Sequence, residues 1–233
     1  MAKSKIHITG DIHGEIEKLT SYHKTKPNDI VIIAGDFGVI WNNETDSKLN
    51  ILQKNAEEKK ILYLFIDGNH ENFNKLNSYP EITLFGDKAG QIRANIYHLK
   101  RGRIYTINEH KFFCFGGATS IDKAQRTPYL SWWPEEECNS QERRQAIKNL
   151  KKIDFKPEYI LTHTAPRQIL EMVKKVKGIY NIEDKTQDFL ASIYLRIMEG
   201  NPNLKTWFFG HFHTDYSSPK KRICALYQKF KTI

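Results

Sequence analysis

The sequence predicts an α/β fold, a four-layer α/β/β/α sandwich in which two mixed β-sheets pack together and are flanked by helices. Short β-rich runs alternate with amphipathic helical stretches, and in both halves of the chain this alternation gives way to consecutive strands. The 233 residues are 39% hydrophobic and 12% aromatic, which is enough to bury a core of this kind. Because no linker, repeat or low-complexity tract interrupts the pattern, we expect one domain over residues 1–233.

Four stretches have the periodicity of amphipathic helices. The first covers residues 15–22, and the second, which Thr45 or Asp46 can cap, has Leu49, Leu52 and Ala56 on one face. The third begins at Asn139, where Glu142 three residues later completes the pattern of a capping box. The fourth has a broad apolar stripe formed by Phe189, Leu190, Ile193, Tyr194 and Ile197. We assign all of these faces to packing.

Consecutive strands are predicted in two places. Residues 96–99, 103–107 and 111–115 are strand-length runs separated by short polar turns, which is typical of a meander. A second hairpin, from Thr214 to Tyr227, closes the chain. These runs supply the antiparallel part of each predicted sheet.

Bulk properties indicate a cytoplasmic protein. The chain enters its first strand without an apolar signal segment, and no run approaches membrane-spanning length, so we expect no membrane partner. Cys114 and Cys224 lie in strand-like runs and are predicted to be buried free thiols. Cys138 lies in a polar loop, where nothing indicates a reactive role.

Five of the predicted strands stop at residue types that bind metal ions. The segments that follow them are Gly10-Asp11-Ile12-His13, Gly35-Asp36, Gly68-Asn69-His70-Glu71, Thr162-His163 and Gly210-His211-Phe212-His213. In α/β sheets, ligands bind in the loops beyond the carboxyl ends of the strands. These donors therefore predict one converging metal site.

The donor types limit the choice of metal. Carboxylate, amide and imidazole groups form a mixed oxygen and nitrogen environment, which suits manganese, iron, zinc or nickel better than calcium. The lack of cysteine among the donors argues against a structural zinc site. In Asp11-x-His13 and His211-x-His213 the two donors are separated by one residue, so on extended backbone they share a face.

Taken in this order, the motifs resemble those of the calcineurin-like metallophosphoesterase superfamily, and they extend from Gly10 to His213. The resemblance implies a hydrolase with a binuclear metal centre, most often holding two Mn²⁺ ions, with iron, zinc or nickel as alternatives. The first ion is then bound by Asp11, His13 and His213, the second by Asn69, His163 and His211, and both by the bridging Asp36.

The resemblance also implies the reaction. A phosphomonoester or phosphodiester of a small molecule or nucleotide would be hydrolysed through attack by a metal-bridging hydroxide. His70 matches the catalytic histidine of the superfamily, which contacts the phosphate and protonates the leaving oxygen. Asp36 and His70 are thus the expected catalytic residues.

Two positions depart from the phosphoprotein phosphatase and dinucleoside-tetraphosphatase branch. In that branch the second motif carries a carboxylate that orients the catalytic histidine, and an arginine precedes the third motif. Here Val39 and Asp67 occupy those positions. We therefore do not expect phosphoprotein phosphatase activity.

The long irregular segment from Gly116 to Gln141 is the expected substrate loop, because loops of this length inside a compact domain are usually functional. Ordinary packing of its two tryptophans is the alternative interpretation. Lys123 is a further candidate to bind phosphate. The expected substrate contacts are Asn69, Arg126, Trp132, Trp133 and Arg167.

Two other functions compete with hydrolysis of a small phosphoester. A nuclease acting on DNA or RNA is favoured by the net charge of +9 and by Trp132-Trp133, which can stack on bases. Against it, the basic clusters are short and scattered, and no additional nucleic-acid-binding domain is evident. A non-catalytic scaffold is disfavoured, because the full ligand set and the histidine are present. The sequence leaves the substrate and the oligomeric state open.

Overall fold

Helices separate the first three strands, and runs of consecutive strands follow, in the described part of the chain, which covers residues 4–41, 46–173 and 183–233 of a computed structural model. The helices are α1 (Glu17–Thr20), α2 (Asp46–Lys59), α3 (Phe73–Ser78), α4 (Ser140–Lys152), α5 (Arg167–Met172) and α6 (Lys185–Met198). The strands are β1 (Ile6–Thr9), β2 (Ile30–Ala34), β3 (Leu62–Ile66), β4 (Glu81–Leu84), β5 (Asp87–Arg93), β6 (Ile96–Leu99), β7 (Arg103–Ile107), β8 (His110–Phe115), β9 (Tyr159–Thr162), β10 (Thr206–Phe209), β11 (Tyr216–Ser218), β12 (Ile223–Ala225) and β13 (Lys231–Thr232).

These strands form two mixed sheets, as predicted. The first has the order β13-β1-β2-β3-β6-β5-β4, and the second has the order β11-β12-β10-β9-β8-β7. Strands β1, β2, β3 and β6 are parallel in the first sheet, as are β8, β9, β10 and β12 in the second. Antiparallel strands complete the edges of both sheets.

Apolar side chains fill three layers between and outside the sheets. Ile32 of β2 and Leu161 of β9 belong to the central core between the sheets. Val31 points to the opposite face of β2 and packs with Leu52 of α2. Leu150 of α4 packs on the outer face of the second sheet. The four-layer α/β/β/α sandwich is therefore confirmed.

The predicted meander over residues 96–115 is wrong. Strand β6 pairs with β3 and β5 in the first sheet, whereas β7 and β8 form a hairpin in the second. The chain crosses between the sheets near Gly102, whose φ is +71° and where an added Cβ would lie 2.9 Å from the backbone nitrogen of Ala146. Strand length and turn spacing cannot reveal this crossing, because the partner of β6 in β3 is distant in sequence.

Two other local predictions are confirmed, and two strands were not predicted. The capping box at Asn139 is confirmed, because its side chain accepts from the Glu142 backbone while the Glu142 carboxylate accepts from the Asn139 backbone. The closing hairpin is confirmed by the pairing of β11 with β12. Strands β4 and β5 were not predicted, because their residues are mostly polar and β4 is the edge strand of the sheet. The three cysteines are free and buried, Cys138 included.

Among the described residues, no helix is both long enough and apolar enough to cross a membrane.

Two neighbouring residues of α2 test the outer packing layer. Leu52 is fully buried, whereas Ile51 is 55% exposed. We expect Leu52→Ala to lower the free energy of unfolding by about 2–5 kcal/mol, because it leaves a cavity under the helix. Ile51→Ala is the matched control and should change it by less than about 0.5 kcal/mol. Urea denaturation followed by circular dichroism measures both, and equal losses would contradict the assigned helix face.

Candidate metal centre

The predicted metal-binding residues come together where the carboxyl ends of the parallel strands of both sheets meet. Asp11, Asp36 and Asn69 follow β1, β2 and β3 of the first sheet, and His163 and His211 follow β9 and β10 of the second. The two sheets approach closely here. An added Cβ at Gly35 would lie 2.1 Å from Nδ1 of His163, and the φ of Gly35 is +93°. Only glycine leaves room for this histidine.

One donor group consists of Asp11, His13 and His213. The Nε2 atoms of His13 and His213 lie 3.0 Å apart, and Nε2 of His213 lies 3.2 Å from Oδ2 of Asp11. Two imidazole nitrogens and a carboxylate oxygen therefore converge on one point. This is the first ligand set that the sequence predicts.

A second donor group contains Asp11, Asp36 and His163. Nε2 of His163 lies 3.3 Å from Oδ1 of Asp36 and 3.0 Å from Oδ1 of Asn69. Asp36 also belongs to a third group, with His13 and His70, and its Oδ2 lies 3.7 Å from Nε2 of His13. Asp36 and Asp11 each belong to two of these groups, and the bridging role of Asp36 stays a prediction.

His211 has a less direct position. Its backbone N–H donates to Oδ1 of Asp11 at 2.9 Å, and its ring lies 5.0 Å from the ring of His163, centroid to centroid. In the described ranges it belongs to none of the compact donor groups. Its assignment as a metal ligand stays a prediction.

The electrostatics of the site favour a cation. Burial alone would raise the pKa of Asp36, but the neighbouring His163 holds it well below its usual range. Burial would lower the pKa of His163, yet the charge of Asp36 and its hydrogen bond raise it to about 10. The negative charge of Asp36 thus stabilises a positive charge on the adjacent His163 ring, whereas burial lowers the pKa of the neighbouring His211 to about 3. The same negative charge, with this mixed donor set, fits divalent metal ions.

The surrounding backbone and side chains orient these donors. The ring Nδ1–H of His163 donates to the carbonyl of Ala34 at 2.8 Å, which directs Nε2 toward Asp36. Four of the predicted ligands have φ in the left-handed region: 45° at His13, 47° at Asp36, 66° at His211 and 44° at His213. Each such non-glycine residue costs about 1 kcal/mol or more, and such strain is concentrated at functional sites.

Three supporting residues were not assigned roles from the sequence. Glu71, part of the third motif, accepts from the backbone N–H of Phe37 at 2.8 Å, and burial raises its pKa to about 8. Lys18 donates to the carbonyls of Asp11 and Tyr227, and burial lowers its pKa to about 8. The ring of Tyr227 stacks on His213 at 4.4 Å. Only Glu71 had a sequence signal, namely its place in the motif.

His70 is contacted by an arginine from the long loop. Nη1 of Arg126 lies 2.9 Å from Nδ1 of His70 and also donates to the carbonyl of Ser131 at 3.1 Å. Because a guanidinium only donates, the His70 nitrogen accepts this hydrogen bond. Burial lowers the pKa of His70, the charge of Asp36 opposes this, and Arg126 adds to the lowering. Val39 is fully buried in the outer core and is not a partner of this ring.

The other predicted substrate contacts are placed differently. Nδ2 of Asn69 donates to Oγ of Ser120 at 3.0 Å, which joins the loop to the metal centre. Trp133 is 1% exposed and packs edge-on against Trp41, so it has no free face for a substrate, and its predicted substrate contact is wrong. Trp132 is half-buried and Arg167 is exposed at the start of α5, so their roles stay predictions.

Asp67, the other departure noted in the sequence, is buried in an ion-pair network. It accepts from Nε of Arg101 at 2.7 Å and lies 3.0 Å from Nε2 of His98. Burial would raise its pKa, but Arg101 and His98 hold it well below its usual range. Arg101 also donates to the carbonyls of Glu135 and Glu137. Asp67 is therefore part of the anchor of the long loop.

Together, the four-layer sandwich and the donor groups at its strand ends define a metal-dependent hydrolase centre. The family model for calcineurin-like phosphoesterases matches residues 4–215, and the chain therefore belongs to this family. This membership confirms the predicted class of enzyme, a metal-dependent hydrolase of phosphoesters.

Curated relatives include lariat debranching enzymes. The chain is 26% identical to lariat debranching enzyme A of Xenopus laevis, 24% to the Homo sapiens enzyme and 25% to that of Drosophila pseudoobscura pseudoobscura. Each match covers 92% of this chain and 43% of the relative. The chain thus spans less than half the length of these relatives.

Replacing the carboxylate of Asp36 tests its predicted bridging role. We expect Asp36→Asn to weaken metal binding and hydrolysis together, by more than the ~100-fold that loss of an outer-sphere partner can cost. Metal content by mass spectrometry and hydrolysis of an aryl phosphodiester are the measurements. Asp154→Asn, at an exposed position, is the control. Full activity of metal-loaded Asp36→Asn protein would exclude the bridging role.

Proposed function

We propose that this protein is a phosphodiesterase whose substrates contain nucleotides. The observation that carries the proposal is an exposed part of the centre next to a cation. The side chains of His13 and His213 are 31% and 49% exposed, and the ring of His13 lies 5.2 Å from that of His70, against which Arg126 lies. A phosphate at the centre would have a cation beside it and open space for an ester substituent. A diester needs that space, because it carries substituents on both sides of the phosphorus.

The relatives support the nucleotide part of the proposal. Their name describes action on a lariat, which is a branched nucleic acid, and this chain matches them over 92% of its length. The net charge of +9 favours substrates that contain phosphate. We retain the predicted cytoplasmic location as part of this proposal.

The proposed cofactor is a pair of divalent ions, with Mn²⁺ the first choice. Asp11, His13 and His213 would hold one ion, and Asn69, His163 and His211 the other, with Asp36 shared between them. When bound, such ions supply Lewis-acid activation of water and of the phosphoryl oxygens. The lack of sulfur among these donors favours the harder metals over a thiolate-bound zinc.

His70 would supply the proton for the leaving group, and Arg126 would offset the remaining negative charge of the phosphate. In the tautomer whose Nδ1 accepts from Nη1 of Arg126 at 2.9 Å, the proton of the neutral ring is on Nε2, which lies 3.5 Å from Nη2 of the same arginine. From there His70 can protonate the departing ester oxygen. The guanidinium of Arg126 also offsets negative charge on the phosphoryl group, because it is held against His70 by Asp122 and the Ser131 carbonyl.

A direct comparison of substrates tests the proposed function. With Mn²⁺, Ni²⁺, Zn²⁺ or Mg²⁺ added in turn, we expect bis(p-nitrophenyl) phosphate and a dinucleotide to be hydrolysed at higher kcat/KM than p-nitrophenyl phosphate. Hydrolysis of the monoester alone would replace the proposal with a phosphomonoesterase. Inactivity on all three substrates with metal bound would contradict a catalytic role.

Leaving-group dependence tests the role of His70. An alkoxide leaving from a nucleoside needs a proton, whereas p-nitrophenolate is stable without one. We therefore expect His70→Ala to reduce kcat about 10²–10⁴-fold for a dinucleotide and far less for the aryl diester. His23→Ala, at an exposed histidine, is the matched control. An equal loss on both substrates would show that His70 does not protonate the leaving group.

A further inference from the structure

Exposed large apolar side chains are concentrated on the loop beside the metal centre. In the described part of the chain, these are Ile121 at 60%, Tyr129 at 59%, Leu130 at 68%, Ile51 at 55% and Leu195 at 59% exposure. The first three belong to the segment of residues 121–132, which we call the loop tip. Exposed apolar groups gathered in one place mark binding sites more often than isolated ones do.

Two contacts connect the loop tip, or the residue before it, to the predicted site. Ser120, which precedes it, accepts from the Asn69 side chain at 3.0 Å. Within it, Arg126 contacts His70 and also bonds to Ser131 near the other end. Ile121, Tyr129 and Leu130 are therefore close in sequence to groups that touch the predicted metal ligand and the predicted catalytic histidine.

The loop tip is folded rather than extended. The backbone N–H of Tyr129 donates to the carbonyl of Trp132 at 2.8 Å, and that of Leu130 donates to Thr127 at 3.2 Å. Tyr129 has φ of +59°, in the left-handed region that side-chain-bearing residues avoid. This strain is not offset by burial, because the ring is exposed. Such a combination is typical of a residue that serves binding rather than stability.

The side chains of the loop tip indicate which kind of ligand it can bind. It combines a cation directed at the centre with flat and branched apolar side chains. A ligand that matches both has a phosphate next to a planar ring, as a nucleotide of a single strand does. A protein partner fits poorly, because stable interfaces bury about 1,200–2,000 Å² in total, far more than three side chains provide.

We propose that the loop tip is a subsite in which Tyr129, with Leu130 and Ile121, stacks on a nucleobase next to the scissile phosphate of single-stranded nucleic acid. This rests on the proposed phosphodiesterase function and specifies its substrate class. It also replaces the sequence prediction for Trp133, which is buried. A base in a duplex is already stacked on its neighbours and does not offer this face.

A double-mutant cycle between protein and substrate tests the subsite. The substrate is a dinucleotide with one phosphodiester bond, compared with its two analogues that each lack one base. The protein variants are Tyr129→Ala and Leu130→Ala, with Leu195→Ala on α6 as a control of equal exposure. The measurement is kcat/KM, with circular dichroism to verify folding.

The expected result is a coupling between one base and Tyr129. In the wild-type protein, removal of that base should lower kcat/KM about tenfold, the size expected for one stacked base. In Tyr129→Ala the same removal should have little further effect, while Leu195→Ala behaves as wild type. Leu130→Ala, which keeps the tyrosine, should reduce the coupling partially.

Three outcomes would overturn the subsite. Equal losses on the dinucleotide and both analogues would give Tyr129 a general structural role. No loss in either loop variant would leave the exposed side chains for another partner, such as a protein or membrane surface. Loss only in Leu195→Ala would place base binding elsewhere. The proposed function fails separately, when the wild-type protein hydrolyses neither the aryl diester nor the dinucleotide.

Discussion

The buried carboxylate of Asp36 is the group on which the centre depends. It accepts from the backbone N–H of His70 at 2.8 Å and lies 3.3 Å from His163, so it joins a loop of the first sheet to a loop of the second. A charge this deep is costly unless it is compensated on several sides. The glycines beside it leave room for the compensating groups to approach this closely. An added Cβ at Gly68 would lie 2.0 Å from Oδ1 of Asp36, and one at Gly35 would displace His163.

Much of the fold and of the centre could be predicted from the sequence, because both rest on local patterns. A buried strand that ends in glycine and a metal-binding residue indicates a ligand site wherever it occurs, and the parallel arrangement brings such strand ends together. Asp11, His13, Asp36, His163 and His213 were identified on this basis and do lie together.

What could not be predicted depends on contacts between distant residues. The sheet that β6 joins is decided by pairing with β3, and nothing within residues 96–99 specifies it. The contact between Arg126 and His70 spans 56 positions and carries no spacing signal. The burial of Trp133 against Trp41 could not be predicted either, because a tryptophan pair in a loop has the same sequence whether it binds a ligand or packs inward.

The network around Asp67 has a consequence for how substrates enter. Arg101 is held by Asp67 and itself holds the carbonyls of Glu135 and Glu137, so the far end of the long loop is fastened to a buried charge. Swinging the loop away as a hinged flap would leave Arg101 paired with Asp67 but would take these carbonyls from its buried guanidinium, at a cost of about 1–3 kcal/mol for each lost acceptor. We therefore expect this end of the loop to keep its position when a substrate binds.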